Sequence, residues 1–167
     1  DGLIGHWTFD GEYMDLSSST REVLDRSSSG NHGDWKDHAT TTTFGKIGQA
    51  IDFDGTDDHV DLGDNYIFGD STTDSPFSVG AWVNIDDFDS DIRTVGRSKD
   101  SGFNEWLLNV DDSTNQIQFA LYDDSPYSGR LSVRGDTVVP TGEWVHVFAT
   151  YDGSSTFAGL QLYYNGQ

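Results

Sequence analysis

Carboxylates are the side chains of this sequence that could most readily do chemistry. The chain has 29 acidic residues, and only Glu12, Glu22, Glu105 and Glu143 among them are glutamate. Hydrolysis of a glycosidic bond needs two carboxylates held roughly 5–10 Å apart, one of them with a raised pKa. Adjacent aspartates such as those at 57–58 would point to opposite faces of a strand, and Glu105 and Glu143 stand alone. The sequence also has no nucleophile elbow, phosphate-binding loop or zinc-protease helix motif, so we predict that the chain is not an enzyme.

Sugar binding is a second kind of chemistry, and it uses an aromatic ring together with planar polar side chains. On the strand predicted at Phe77–Ile85, Trp82 lies on the face opposite the apolar residues, and Gln118 and Tyr122 lie on the polar face of another predicted strand. The alternative for Trp82 is a place in the core beneath a loop. The predicted ligand-binding residues are Arg97, Asn104, Gln118, Tyr122, Tyr127 and Trp82.

The net charge of −20 excludes ordinary nucleic-acid binding, which needs the opposite sign. A protein of this charge density repels itself in dilute salt, whereas molar salt screens charges within about 3 Å. We therefore predict a halophilic source, the alternative being an acidic extracellular domain. The chain has no cysteine, which excludes a disulfide scaffold.

The elements that must position these residues are short strands separated by Gly, Asp, Ser and Asn clusters, the pattern of an antiparallel sandwich. The polar stretch Gly11–Gly33 predicts a surface loop with a helical turn near Arg21–Leu24. The length of 167 residues, without an internal repeat, predicts one domain over residues 1–167. No apolar stretch approaches 18 residues, so no membrane insertion is expected. Strands are predicted at Leu3–Asp10, Gln49–Phe53, His59–Leu62, Phe77–Ile85, Asp91–Gly96, Phe103–Val110, Gln116–Tyr122, Trp144–Tyr151 and Leu160–Tyr164.

Several motifs follow one another in a recognisable order. They are GLIGHWTFDG at 2–11, Asp25 followed by SGNHG at 29–33, GKIGQAIDFDGTDDHVDLG at 45–63, FSVGAWV at 77–83, EWVHVFATYDG at 143–153 and YYNG at 163–166. In this order they resemble the laminin-G-like domains of secreted bacterial and archaeal proteins. The resemblance implies an all-β fold, a two-sheet antiparallel jelly-roll sandwich of the concanavalin A-like type. The family's final strand has no counterpart here, so we expect a fragment of a longer chain.

The resemblance also implies a structural Ca²⁺ beside the first strand. Carried onto this sequence, its ligands are Asp10, Asp25 and Asn31, with Asp152 as a weaker fourth. Oxygen ligands of this kind suit calcium, which takes six to eight of them. The alternative is that each side chain caps a turn by bonding its own backbone. The five histidines are scattered, so zinc is not expected.

Together these observations lead to a functional expectation. The chain is expected to be a non-catalytic, lectin-like adhesion domain that binds a glycan or a glycosylated surface, in a secreted, cell-surface or virion protein of a halophile. The alternative is a protein-interaction or spacer module in a larger assembly, without a sugar site. A glycoside hydrolase or lyase is a third class, because glucan-cleaving enzymes share this sandwich. The composition favours neutral or amino sugars, since a negative field repels anionic polysaccharides.

The charge generates a testable prediction about stability. Because salt screens the mutual repulsion of the carboxylates, the thermal midpoint should climb steeply between roughly 0.1 and 3 M salt. Calorimetry or circular dichroism melts over this series measure the effect. A midpoint independent of salt would contradict the prediction of a halophilic source.

Overall fold

In the computed structural model the described residues are 2–15, 22–36, 40–42, 44–69, 73–88, 92–98, 104–122 and 129–167. For residues 40–42, 92, 93, 98 and 104 only the main chain is described. Two compact units are present, Asp1–Ile67 and Phe68–Gln167. The single-domain prediction for residues 1–167 stays a prediction. Among the described residues no helix is long and apolar enough to cross a membrane.

The first unit contains six short strands and a 3-10 turn at Gly11–Tyr13. The strands are β1 (Met14–Asp15), β2 (Glu22–Val23), β3 (Gly33–Lys36), β4 (Thr40–Thr42), β5 (Ala50–Asp52) and β6 (His59–Asp61). All pairings are antiparallel, in a sheet of order β1-β2-β3-β6 and a separate pair β4-β5.

The second unit contains the longer strands, with a 3-10 turn at Phe157–Gly159. The strands are β7 (Phe77–Val83), β8 (Ile92–Ser98), β9 (Asn104–Asp111), β10 (Gln116–Tyr122), β11 (Arg130–Val138), β12 (Val145–Tyr151) and β13 (Leu160–Tyr164). They form a four-stranded sheet of order β11-β10-β9-β8 and a three-stranded sheet of order β13-β12-β7. Every ladder is antiparallel.

The core of the second unit is made by both of its sheets. In β12 every second residue is buried, from Val145 to Tyr151, and in the four-stranded sheet Leu108 and Phe119 are fully enclosed. Each such side chain stabilises the fold by about 1.5–3 kcal/mol through removal of apolar surface from water. The buried members are Ile85, Leu108, Val110, Ile117, Phe119, Val139, Val145, Val147, Ala149, Tyr151 and Leu160. The predicted all-β, antiparallel sandwich fold is confirmed.

The strand predicted at Leu3–Asp10 is wrong, since these residues form no regular strand. The His6 main chain bonds elsewhere: its N–H donates to the Asp25 carboxylate and its carbonyl accepts from Arg26 N–H. Phe9 has a φ of 58°, which breaks an extended conformation. Leu3, expected on an apolar face, is 59% exposed. Hydrogen bonds to Asp25 and Arg26 therefore take the place of a sheet ladder at His6.

The described parts of the stretch Gly11–Gly33 are also more structured than a surface loop. Met14 and Val23 are buried where β1 and β2 pair, because an apolar residue in each strand turns inward. The predicted helical turn near Arg21–Leu24 is wrong where the chain is described, since Glu22–Val23 is a strand.

Later strands match the prediction more closely. Gln116–Tyr122 and Leu160–Tyr164 have the predicted bounds, and the other predicted strands after Leu3–Asp10 are present with shifts at their ends. The turn after β13 has positive φ at Asn165 and Gly166, as the predicted Asn-Gly turn requires. The sequence missed β11, whose apolar alternation stops at Gly135-Asp136.

Candidate functional site

The structure separates the residues that the sequence grouped as one ligand site. Trp82 alternates with apolar residues of β7 that pack against the core, so its side chain points outward from the three-stranded sheet. Gln118 and Tyr122 alternate with core residues of β10 and point outward from the four-stranded sheet. Because the two sheets share one core, these are opposite outer faces of the second unit. Trp82 therefore cannot contact the same small ligand as Gln118.

The remaining predicted ligand residues have other surroundings. Arg97 lies in β8 and forms an ion pair with Glu105, with both side chains largely buried. Asn104 begins β9, where only its main chain is described. Tyr127 lies outside the described residues.

Four rings form an aromatic row on the outward face of the three-stranded sheet, namely Trp82, His146, Phe148 and Tyr163. Cross-strand register places Trp82 opposite His146, with ring centroids 5.1 Å apart. His146 stacks on Phe148 at 6.1 Å, and Phe148 meets Tyr163, its register partner in β13, at 6.0 Å. The sequence predicted one member, and only the strand register could have added the other three.

The aromatic row lies on an uncharged face. Although 23% of the chain is charged, the strands β7, β12 and β13 contain no Asp, Glu, Lys or Arg. Trp82 is 40% exposed, so the alternative of a buried core position is not what the structure shows. At Gly80 a Cβ atom would lie 2.5 Å from the Phe148 ring, so the glycine lets that ring lie across the main chain. The outward polar neighbours are Ser78, Asn84, Thr150 and Gln161.

The outward face of the four-stranded sheet is polar and largely covered. Gln118 is 7% exposed, and its Oε1 accepts a hydrogen bond from Arg130, whose guanidinium lies 5.5 Å from the Tyr122 ring centroid. Asn109, the register partner of Gln118 in β9, is 4% exposed. Among the described residues no donor reaches its Oδ1. A buried acceptor left unpaired costs about 1–3 kcal/mol, so any donor that reaches this oxygen would stabilise the protein.

Of the residues predicted to bind calcium, Asp25 has the most hydrogen bonds. Its Oδ1 accepts from the N–H groups of His6 and Ser27, both at 2.8 Å, and its Oδ2 accepts from Ser27 Oγ at 2.7 Å and Asn31 N–H at 2.9 Å. Burial raises the pKa of Asp25, but these hydrogen bonds outweigh it and leave the pKa below the ordinary 3.8. A carboxylate has about four lone-pair sites, so protein donors already occupy those of Asp25.

The other predicted calcium ligands also bond to the chain. Asp10 Oδ1 accepts from Gln49 N–H at 2.7 Å, and Asn31 donates from Nδ2 to the carbonyl of Ile4 at 3.0 Å. Asp152 belongs to the second unit, where its Oδ1 accepts from Ser154 N–H at 2.9 Å. The Asp152 contact fits the alternative of a turn cap, whereas Asp10 and Asn31 bond main-chain groups 39 and 27 residues away in the sequence.

A different group of carboxylates comes together in the loop after β5. Oxygen atoms of Asp54, Asp57 and Asp58 lie within 4.8 Å of one another, and the side chains face solvent to differing degrees. In a strand, Asp57 and Asp58 would point to opposite faces. Their side chains converge because this segment turns, with Asp54 N–H donating to Asp58 Oδ2 at 3.0 Å, rather than running as a strand.

Carboxylate acidity bears on catalysis, since a glycosidase acid needs a raised pKa. Two further aspartates have a shifted pKa besides Asp25. Hydrogen bonds from Ser113 and Thr114 lower the pKa of Asp111, and hydrogen bonds from Ser154 lower that of Asp152. Each of these three aspartates therefore has a lowered pKa, the direction that suits a fixed anion rather than a proton donor.

Comparison with known proteins gives one match. A family model described as the concanavalin A-like lectin/glucanases superfamily, Laminin_G_3, matches residues 54–167. This range includes all of the second unit and begins after the motif at 2–11. No curated protein and no solved structure gives a significant match.

The hydrogen bonds of Asp25 lead to a stability prediction. The Asp25→Ala variant should lose about 3 kcal/mol of unfolding free energy, because several donors in a largely buried site lose their acceptor. Because folding lowers the pKa of Asp25, its charged carboxylate stabilises the folded state fully above pH 3.8, and this stabilisation is lost as the pH falls through the folded pKa. The loss of unfolding free energy in Asp25→Ala should therefore become smaller in acid. Denaturant unfolding at several pH values measures it.

A matched control is Asp61→Ala, which removes an exposed carboxylate that accepts a single N–H from Gly63 at 2.9 Å. This variant should stay within about 0.5 kcal/mol of the parent chain. If Asp25→Ala and Asp61→Ala lost equal unfolding free energy, the buried hydrogen bonds of Asp25 would stabilise the fold no more than the exposed one of Asp61.

Calcium binding stays a prediction, with its own measurement. An ion held by the folded state stabilises it by mass action, so the thermal midpoint should be higher in millimolar Ca²⁺ than in chelator. Salt concentration is held constant between the two melts. An unchanged thermal midpoint would contradict the prediction that the folded chain binds Ca²⁺.

Proposed function

The chain belongs to the concanavalin A-like lectin/glucanases superfamily, and on that premise we propose that it is a non-catalytic, lectin-like module that binds a neutral glycan on its aromatic row. Membership supports a carbohydrate- or protein-binding module in general. The choice of carbohydrate rests on one observation, the partly exposed aromatic row from Trp82 to Tyr163 on strands without acidic or basic residues, in a chain of net charge −20.

The chemistry of this face fits a neutral sugar. A pyranose offers a face of C–H groups that packs on an aromatic ring, and Trp82 combines a large apolar surface with an N–H group. Hydroxyl and amide side chains beside the row, such as Ser78 and Asn84, are exposed and suit the sugar hydroxyls. With no charged residue in β7, β12 or β13, no ion in these strands loses hydration when a sugar docks.

The proposed setting is a secreted, cell-surface or virion protein of a halophile, for which the acidic composition is the support. A single shallow face gives weak affinity, so useful strength would come from many copies displayed together. The second candidate, a protein-interaction or spacer module, is supported by the same family membership and the same partly exposed row.

The aromatic row gives a direct test of the function. Trp82→Ala should weaken binding of neutral oligosaccharides about tenfold or more, because a stacking contact of about 1.4 kcal/mol corresponds to a factor of ten. A glycan array and calorimetry at molar salt measure the loss. Product analysis after long incubation should show intact oligosaccharides.

The matched control is Phe157→Ala, which removes an aromatic ring that is 65% exposed and lies outside the row. It should bind as the parent chain does. If no glycan binds at any salt concentration, the protein-interaction or spacer module is the better account. If the oligosaccharides are cleaved, a hydrolase or lyase replaces both binding modules.

A further inference from the structure

The arginines of this chain are concentrated in one sheet. Four of the six arginines, Arg93, Arg97, Arg130 and Arg134, lie in β8 and β11 of the four-stranded sheet. The strands of that sheet contain only three acidic residues, Glu105, Asp111 and Asp136, which gives them a formal charge of 4 − 3 = +1 in a chain of −20. The arginines of these strands therefore offset the strands' own acidic residues, unlike the balance of the chain as a whole.

Two of those acids are already neutralised. Glu105 forms an ion pair with Arg97, and Asp111 pairs with Arg134 at 2.8 Å. Arg130 differs from these arginines, since among the described residues its hydrogen bond goes to the neutral Gln118 rather than to a carboxylate. Its guanidinium is fixed by that bond and by the Tyr122 ring at 5.5 Å, and the residue is exposed. The result is an oriented cation without an anionic partner in the described part of the chain.

Asn109 supplies a second, independent observation. Its Oδ1 is a buried acceptor for which the described residues provide no donor. Register places Asn109 directly across from Gln118, which holds the Arg130 guanidinium. An anion-binding group and a vacant hydrogen-bond acceptor therefore meet on the same face of adjacent strands.

We propose that the outward face of the four-stranded sheet is a second binding site, which takes a carboxylated sugar such as a uronic acid unit. The sugar carboxylate pairs with the Arg130 guanidinium, and a hydroxyl of the same unit donates to Asn109 Oδ1. A guanidinium matches a planar carboxylate with two parallel hydrogen bonds. A single arginine suits the one charge of a carboxylate better than the two of a phosphate. The site is independent of the aromatic row, which lies on the opposite outer face.

The experiment compares glucuronic acid with glucose, which has the same ring and hydroxyl groups but no carboxylate. Titrations of the whole chain, followed by NMR or calorimetry at roughly 0.1 and 1 M salt, should show tighter binding of glucuronic acid, weakened but retained at the higher salt. Equal binding of the two sugars, or binding of glucuronic acid that disappears at the higher salt, overturns the proposal.

Two variants test the Arg130 contact. Arg130→Gln should weaken glucuronic acid binding at least tenfold, and Arg130→Lys should weaken it less, because it keeps the charge but loses the planar fork. The matched control is Arg26→Gln, which makes the same charge change at a guanidinium 3.9 Å above the Tyr13 ring. Equal losses in Arg130→Gln and Arg26→Gln would reduce the effect to net charge and overturn the proposal.

Asn109→Leu tests the role of Asn109 Oδ1 by two measurements, the thermal midpoint of the free chain and the binding of glucuronic acid. Removing a buried, unpaired acceptor should raise the thermal midpoint of the free chain by about 2–4 °C while weakening glucuronic acid binding. A lower midpoint with unchanged binding overturns the role of Asn109. Trp82→Ala should leave glucuronic acid binding intact, so failure of this site and failure of the aromatic row are told apart.

Discussion

The shared apolar core of the second unit constrains every candidate function of this chain. Burial of Leu108 and Phe119 from one sheet against Val147 and Tyr151 of the other fixes which residues point inward. Because side chains alternate along a strand, fixing the inward set also fixes the outward set. A slip of one residue in β7 would bury Trp82 and expose its apolar neighbours. The chemistry of both outer faces is therefore a consequence of core packing.

The charge of −20 is not spread evenly over the outer faces that this core defines. The three-stranded sheet has no charged residue in its strands, and the four-stranded sheet has a small excess of arginine. Most carboxylates therefore lie in the first unit and in the segments between the strands of the second unit. A uniformly acidic coat would stabilise neither a stacked sugar nor an oriented anion, because both require partial desolvation of the surface. The two sheet faces that depart from the overall negative charge are thus the places where ligand binding is expected.

Sequence patterns predicted the strands whose alternation is uninterrupted, such as Gln116–Tyr122 and Leu160–Tyr164, because a period of two is a local signal. The patterns failed at Leu3–Asp10, where the His6 N–H donates to the carboxylate of Asp25. A local pattern cannot show this bond, because the two residues are 19 positions apart in the sequence. They also failed at β11, where Gly135-Asp136 interrupts the apolar pattern. Trp82 could be named from its own strand, but its partner His146 depends on register between strands distant in sequence.

Opposite placement of the two outer faces limits how they could act together. A ligand stacked on Trp82 cannot reach Arg130, since the core of the sandwich lies between them. Because the core separates the two faces, the effects of substitutions on one face should add to those on the other rather than couple with them. Two faces that point apart would instead let one unit hold two separate glycan chains. Such an arrangement turns a weak individual contact into a cross-link when many copies are displayed on one surface.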